Sequence, residues 1–308
     1  MKLAFFKPKK QTTTHHKTWL SEKVLAELQT LAEQLQSTSI TNITLNSQQS
    51  GLLASRALGS GTDYAESRVY QYGDDPRSIN WRLSARSTDT FVKTFHTESR
   101  PCVSILLDQR KGMIFGTKKR LKISQALRVA SLLAYSCDLH QLSFQAWVLR
   151  DDSLLSFNNT EAFLSTANQQ IEQTESTLHK SLDSAMQEVL PQLSINSLFY
   201  LISDFSSINK NTHLSAISER CNTHGIHIQD PAEVSLSNTG EIYFQGEQRE
   251  QFKIKTQNKT ERLDFSQVAQ AVLQKRKALL TNLGINYCAI LTNEDNIQTK
   301  ISLPLKSI

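Results

Sequence analysis

The chain has no apolar run near the ~18 residues that a membrane-spanning helix needs. Its apolar start, Leu3-Ala4-Phe5-Phe6, is too short for the core of a secretion signal and is followed by charges. A cytoplasmic protein is expected. The four cysteines, Cys102, Cys137, Cys221 and Cys288, lie far apart and form no C-x-x-C pair. That spacing argues against a zinc site or redox dithiol and fits buried free thiols in a reducing compartment. No phosphate-binding glycine motif of the P-loop or dinucleotide type is present, nor a G-x-S-x-G elbow, nor H-E-x-x-H. Nucleotide-binding, serine-hydrolase and zinc-protease chemistries therefore lack their residues. His224-Gly-Ile-His227 is half of a metal pair with nothing to complete it, and reads as strand-edge histidines. There is no internal repeat, and no low-complexity tract beyond the Thr/His-rich 11–16.

What is present fits a folded chain with a proper core: 308 residues, 39% of them hydrophobic and 20% charged. The net charge of +5 is mild, and Lys2, Lys7, Lys9, Lys10 and Lys17 place part of it in the first residues. Residues 1–17 are expected to be a flexible basic tail. Leu20, Val24, Leu28, Leu31 and Leu35 recur at helical spacing, so 18–36 reads as an amphipathic helix, followed by a polar linker over 37–50. From 101 to 308 strands alternate with helices. Strands are expected at 103–107, 142–149 (returning as a hairpin through 154–157), 198–203, 226–229 and 287–291, with weaker ones near Val234 and at 242–244. Helices are expected at 121–139, 162–171, 182–190, 210–222 and 265–283. This is the pattern of an α/β fold, a mostly parallel sheet with helices on both faces. Such sheets build sites at the carboxyl ends of their strands, where Asp108 and Asp204 each terminate an apolar run.

Between the helix and the α/β region lies Gly59–Lys93, dense in acids, arginines, aromatics and glycines, with no long period. Residues 68–72 and 90–96 alternate as strands, and Gly73-Asp-Asp-Pro76 is a turn. Asp74, Asp75, Arg77, Arg82 and Arg86 are expected to pair as forked carboxylate–guanidinium bonds, with Trp81 and Tyr72 as stacking faces. Two readings of the run stand side by side. It is a polar network pinning the segment to the sheet, with Asp75 and Trp81 partly buried, or a recognition surface built from the residue types that dominate interfaces.

These residues resemble the bacterial family called domain of unknown function fifty-eight, marked by R-G-x-G-x-E-F-x-E-x-R-x-Y-x-P-G-D-D-x-R-x-I-D-W-x-x-x-A-R. Gly59, Gly61, Tyr64, Glu66, Arg68, Tyr70, Gly73, Asp74, Asp75, Arg77, Ile79, Trp81, Ala85 and Arg86 match it, and Asp230-Pro231 resembles the family's V-D-P element. Asn80 departs from the family's Asp, and Asp63-Tyr64 from its Glu-Phe. The resemblance, over about residues 20–295, implies a core similar to a von Willebrand factor A domain. It also implies a MoxR-type AAA+ ATPase as partner, with a client protein, in complex assembly or maturation. A von Willebrand A domain holds Mg²⁺ with D-x-S-x-S after its first strand, a Thr from a second loop and an Asp from a third. Here Arg110 and Gly112 stand in the two Ser places, next to Lys111, and Asp108, Thr160 and Asp204 are what remains. The expected site is degenerate and free of metal, because Mg²⁺ needs near-complete octahedral oxygen coordination and Arg110 can pair with Asp108. The reading is a non-enzymatic docking protein using Asp74, Asp75, Arg77, Trp81, Arg86, Asp108, Arg110 and Asp204, with Arg110 offering its fork to a partner carboxylate. Two alternatives remain. One is a metal-dependent hydrolase on Asp108 and Asp204. The other is a nucleic-acid binder using the basic tail, Arg77, Arg82 and Trp81, against which the neighbouring acids argue.

Overall fold

The computed structural model describes residues 5–6, 18–42, 58–59, 63–72, 74–96, 102–170, 180–208, 212–237, 240–245, 251–301 and 303. Two compact units divide the chain: residues 1–39 with 102–306, and residues 40–101 with the last two.

In the first unit a six-stranded sheet forms from β5 (Cys102–Asp108), β6 (Ser143–Leu149), β7 (Leu154–Phe157), β8 (Leu198–Ser203), β9 (Asn222–Gln229) and β12 (Asn286–Leu291), in the order β12-β9-β8-β5-β6-β7. All neighbours are parallel except β7, which returns antiparallel from β6 through the Asp151-Asp152 turn. Counted along the chain from β5, the strand order is 3-2-1-4-5-6. The order reverses between β5 and β8, so the crevice of this doubly wound sheet opens between their carboxyl ends.

Both faces are covered, and the sequence shows why: central strands such as β8 are buried at every position. Helices α3 (Lys122–Leu139) and α4 (Thr160–Asn168) pack on one face. On the other, Leu106, Trp147, Phe199 and Leu201 meet α5 (Leu182–Val189) and α6 (Thr212–Arg220) in one apolar cluster. α8 (Lys259–Asn282) contributes Leu280 to it and stops at Gly284, whose φ of +74° is the left-handed conformation glycine supplies at a helix end. α1 (Glu22–Asn42) buries Leu28 and Ala32, and is preceded by a clamp in which Asn168 bonds both backbone polar groups of Leu20. A small antiparallel sheet joins β1 (Phe5–Phe6), β10 (Glu241–Gln245) and β11 (Gln251–Lys255). The rest of the expected tail and of the linker after Asn42 lies outside the described residues.

Three expectations are corrected. The segment near Val234 is a short helix, α7 (Pro231–Val234), because Asp230 caps it in a capping box with Glu233 and Pro231 sets its first φ. The strand expected at 226–229 begins earlier, at Asn222, so Gly225 lies inside β9, where an added Cβ would stand 3.1 Å from Ile285 Cγ2. And β9 is an interior strand, between β8 and β12, so His224 and His227 are not edge residues.

In the second unit, β2 (Leu58–Gly59), β3 (Asp63–Val69) and β4 (Phe91–His96) form an antiparallel sheet in the order β2-β4-β3. The connection from β3 to β4 holds a 3-10 turn at Pro76–Ser78 and the single-turn helix α2 (Trp81–Ser84). Asp75 caps the first through Arg77 N and Asn80 caps the second through Leu83 N.

Candidate functional site

Parallel pairing of β5 with β8 brings Asp108 and Asp204 to the same edge, at the point where the strand order reverses. Both are buried, 1% and 4% exposed. A buried carboxylate needs partners, and each has its own. Asp108 Oδ1 accepts from Arg110 N (3.1 Å) and Nε (2.9 Å), and Oδ2 from Arg110 Nη2 (2.7 Å) and Ser203 Oγ (2.7 Å). The Arg110–Asp108 pairing anticipated from sequence is present, and it is bidentate. It also means that the Nε–Nη2 edge of the guanidinium is not open to a partner's carboxylate. The expected free fork is corrected to Nη1, which has Ser207 Oγ at 3.4 Å. Burial disfavours the Arg110 charge, but Asp108, Asp204 and Asp151 outweigh it and hold its pKa above the ordinary value.

Asp204 is held by a residue that sequence reasoning missed. Lys122, the first residue of α3, is 2% exposed and donates to Asp204 Oδ2 (3.0 Å) and to Glu233 Oε1 (2.8 Å), with its ammonium 5.5 Å from the centre of the Phe115 ring. Ser206 N donates to Asp204 Oδ1 at 2.9 Å. Burial would raise the Asp204 pKa, but the Lys122 charge and these bonds hold it well below the carboxylate range. Lys122 is pushed up against its own burial by Asp204 and Glu233. Glu233 in turn accepts Asp230 N through Oε2 at 2.9 Å. Asp230 is fully buried and accepts from Thr117 N (2.9 Å), the Thr117 hydroxyl, Ala232 N (2.9 Å) and Thr292 Oγ1 (2.9 Å). The Asp-Pro element thus ties the loops after β5, β9 and β12 together and steadies the carboxylate behind Lys122.

A divalent cation does not fit this donor set. Every oxygen of Asp108 and Asp204 accepts a hydrogen bond from the chain itself. Among the described residues no three His, Cys, Asp or Glu side chains group to hold a metal. Thr160, the expected second-loop hydroxyl, is not at this edge. Antiparallel β7 carries the chain back toward the amino ends of the strands, and Thr160 donates to both oxygens of Asp138 on α3, at 2.8 and 2.7 Å.

The second unit pairs differently from expectation. The partner of Asp74 is Arg68, through two bonds of 2.8 and 2.6 Å, and Gln71 N also donates to Asp74. Hydrogen bonding to Arg68 lowers the Asp74 pKa. Among the described residues Arg77, Arg82 and Arg86 form no ion pair with any carboxylate. Asp75 caps a turn and is exposed, and Trp81 is 69% exposed, so neither is the partly buried residue expected from sequence. The reason is local: α2 is one turn long and has no buried residue, so its aromatic stays in solvent. Arg77, Arg82, Arg86, Trp81 and Tyr72 all stand exposed on this unit.

The missed residues left faint signals. A lysine opening an apolar helix lies against the positive end of the helix dipole, which implies a counter-charge. No helix among the described residues is long and apolar enough to cross a membrane.

Known proteins similar to this chain add the family. The chain is 24% identical to uncharacterized proteins of Mycobacterium tuberculosis (strain H37Rv) and Mycobacterium bovis, covering 61% of this chain and 61% of each relative. It therefore spans less than two thirds of their length. It is also similar to the crystal structure of conserved hypothetical protein BatB from Bacteroides thetaiotaomicron, with a TM-score of 0.41 at 10% identity over 64% of this chain and 93% of that one. A family model described as protein of unknown function DUF58 matches residues 66–276, more than half of the chain, and the chain belongs to that family.

Proposed function

We propose that the protein is a non-enzymatic interaction module of the von Willebrand factor A-like type that docks on a MoxR-type AAA+ ATPase and serves assembly or maturation of a client complex. The observation that carries this reading is the exposed set on the family motif. Trp81 and Tyr72 stand in solvent on the same unit as Arg77, Arg82 and Arg86, which have no carboxylate partner among the described residues. Tryptophan, tyrosine and arginine are the residues that contribute most to interface hot spots. The 3-2-1-4-5-6 order with its crevice at Asp108 and Asp204 suits a von Willebrand A-like core. The carboxyl edge offers ion pairs rather than an activated nucleophile, which favours docking over hydrolysis. On the first unit, taken by itself, the carboxyl edge of Asp108, Arg110 and Asp204 is a second proposed contact, offered through Arg110 Nη1 and Ser207.

Capture of a purified MoxR-type ATPase by the immobilised chain tests the reading. Trp81→Ala and Arg77→Glu should each weaken capture by roughly tenfold or more, as loss of a hot spot does, and leave thermal unfolding unchanged. Undiminished capture by both variants would remove the motif surface from the interface. No capture by the intact chain would end the ATPase assignment.

A further inference from the structure

We infer that the carboxyl edge of this sheet is metal-free by construction: Arg110 and Lys122 act as tethered cations that neutralise Asp108 and Asp204 at the switch point, in place of a divalent ion. The inference does not depend on which partner the protein has. It rests on how completely the two carboxylates are used. Asp108 receives the Nε–Nη2 edge and the backbone amide of Arg110 on one side and the Ser203 hydroxyl on the other. Asp204 receives Lys122 and Ser206 N. A hard cation such as Mg²⁺ needs about six oxygen ligands at ~2.1 Å and gives up its waters reluctantly. Here it would meet the Arg110 head group 2.7 Å from Asp108 and the Lys122 head group 3.0 Å from Asp204.

Neither cation is free to swing away. Lys122 is 2% exposed and held between Asp204, Glu233 and the Phe115 ring, with Glu233 fixed by Asp230. The Arg110 side chain is 15% exposed, and its backbone amide joins its guanidinium on the same carboxylate. Nothing that docks at this edge would then need a divalent ion, and chelator would not release it.

Mg²⁺ and Mn²⁺ alone, titrated calorimetrically into the full chain, test this, with thermal unfolding followed in parallel. The intact chain should give no saturable heat, and its Tm should move by less than about 1 °C with either ion or with chelator. Arg110→Ser removes the guanidinium from both oxygens of Asp108, leaving only the amide of residue 110 and the Ser203 hydroxyl on them, and supplies a hydroxyl. It should bind Mn²⁺ at least about tenfold more tightly than the intact chain, and Asp108→Asn added to it should abolish the gain. If Arg110→Ser does not fold, Arg110→Gln, which keeps the stem and removes the charge, is read in the same way. Saturable Mg²⁺ binding by the intact chain that disappears in Asp108→Asn overturns the inference. So does a folded Arg110 variant that binds Mn²⁺ no better than the intact chain.

Discussion

Lys122 is the residue placed most sharply against its local preference. It opens α3, where the helix dipole repels a cation, and it is buried. Asp204 and Glu233, 82 and 111 residues away in sequence, make the position tolerable. Lys122→Met fills similar space but leaves Asp204 buried without its cation, so it should destabilise the fold by about 3–5 kcal/mol. Adding Asp204→Asn should recover much of the loss, since removing both charges of a buried pair is often close to neutral. Urea denaturation of the two single variants and the double variant checks this. Additive losses in the double variant would mean that the pair is not coupled. This residue also marks where sequence reading stops. Asp108 and Asp204 are legible because each closes an apolar strand, and strand ends in a parallel sheet share an edge. Which cation pairs with which acid depends on loop paths that no local pattern encodes. Arg110, two residues from Asp108, was readable for that reason; Lys122 was not.

At the scale of elements, alternation of apolar strands and helices made the six-stranded sheet legible nearly strand for strand. The misses fall where capping overrides propensity. Val234 is β-branched and suggested a strand. Asp230 at the N-cap, Pro231 at the first position and Glu233 closing the box make a helix of it instead. Thr160 was misplaced by an inference about elements as well, since β7 reverses direction and carries the next helix to the opposite edge. In the second unit composition suggested a network among its acids and arginines. Among the described residues the outcome is one Arg68–Asp74 pair and two caps, because turns this short keep their side chains in solvent. Asp230 is the element whose loss is felt most widely. Asp230→Ala removes the α7 cap and leaves the buried Thr292 hydroxyl without its acceptor. It should cost about 2–4 kcal/mol, more than an ordinary cap. Denaturant unfolding measures it, and a loss below about 1 kcal/mol would show that the carboxylate does no more than cap one turn.

For the molecule as a whole, the titration of two histidines on β9 should set the acid limit. His227 is 1% exposed on interior strand β9, its Nδ1 2.8 Å from Tyr287 Oη and 3.1 Å from Gln229 Nε2, with the Phe205 ring edge-on. Burial pushes its pKa down to about 3, and Arg276 adds to the effect. His224, half-buried and stacked on Tyr200, is pushed down to about 4 by burial. The ordinary imidazole value near 6.5 holds in the unfolded chain. A folded pKa below the unfolded one means that the unfolded state binds the extra proton. The stabilisation is therefore full above about pH 6.5 and is lost as pH falls toward the folded values. Asp204, also depressed when folded, acts in the same direction but only below about pH 4, where carboxylates of the unfolded chain take up protons. Between pH 7 and pH 5 the histidines act without it. Over that interval His227 should remove about 2 kcal/mol of stability and His224 up to a similar amount. Urea unfolding at pH 7 and pH 5 measures the sum. His227→Asn should flatten the dependence by about 2 kcal/mol whatever it does to stability at pH 7, because an amide has no proton to take up. An unchanged difference between the two pH values in that variant would show that His227 titrates normally in the folded protein, and the acid limit would have to come from another group.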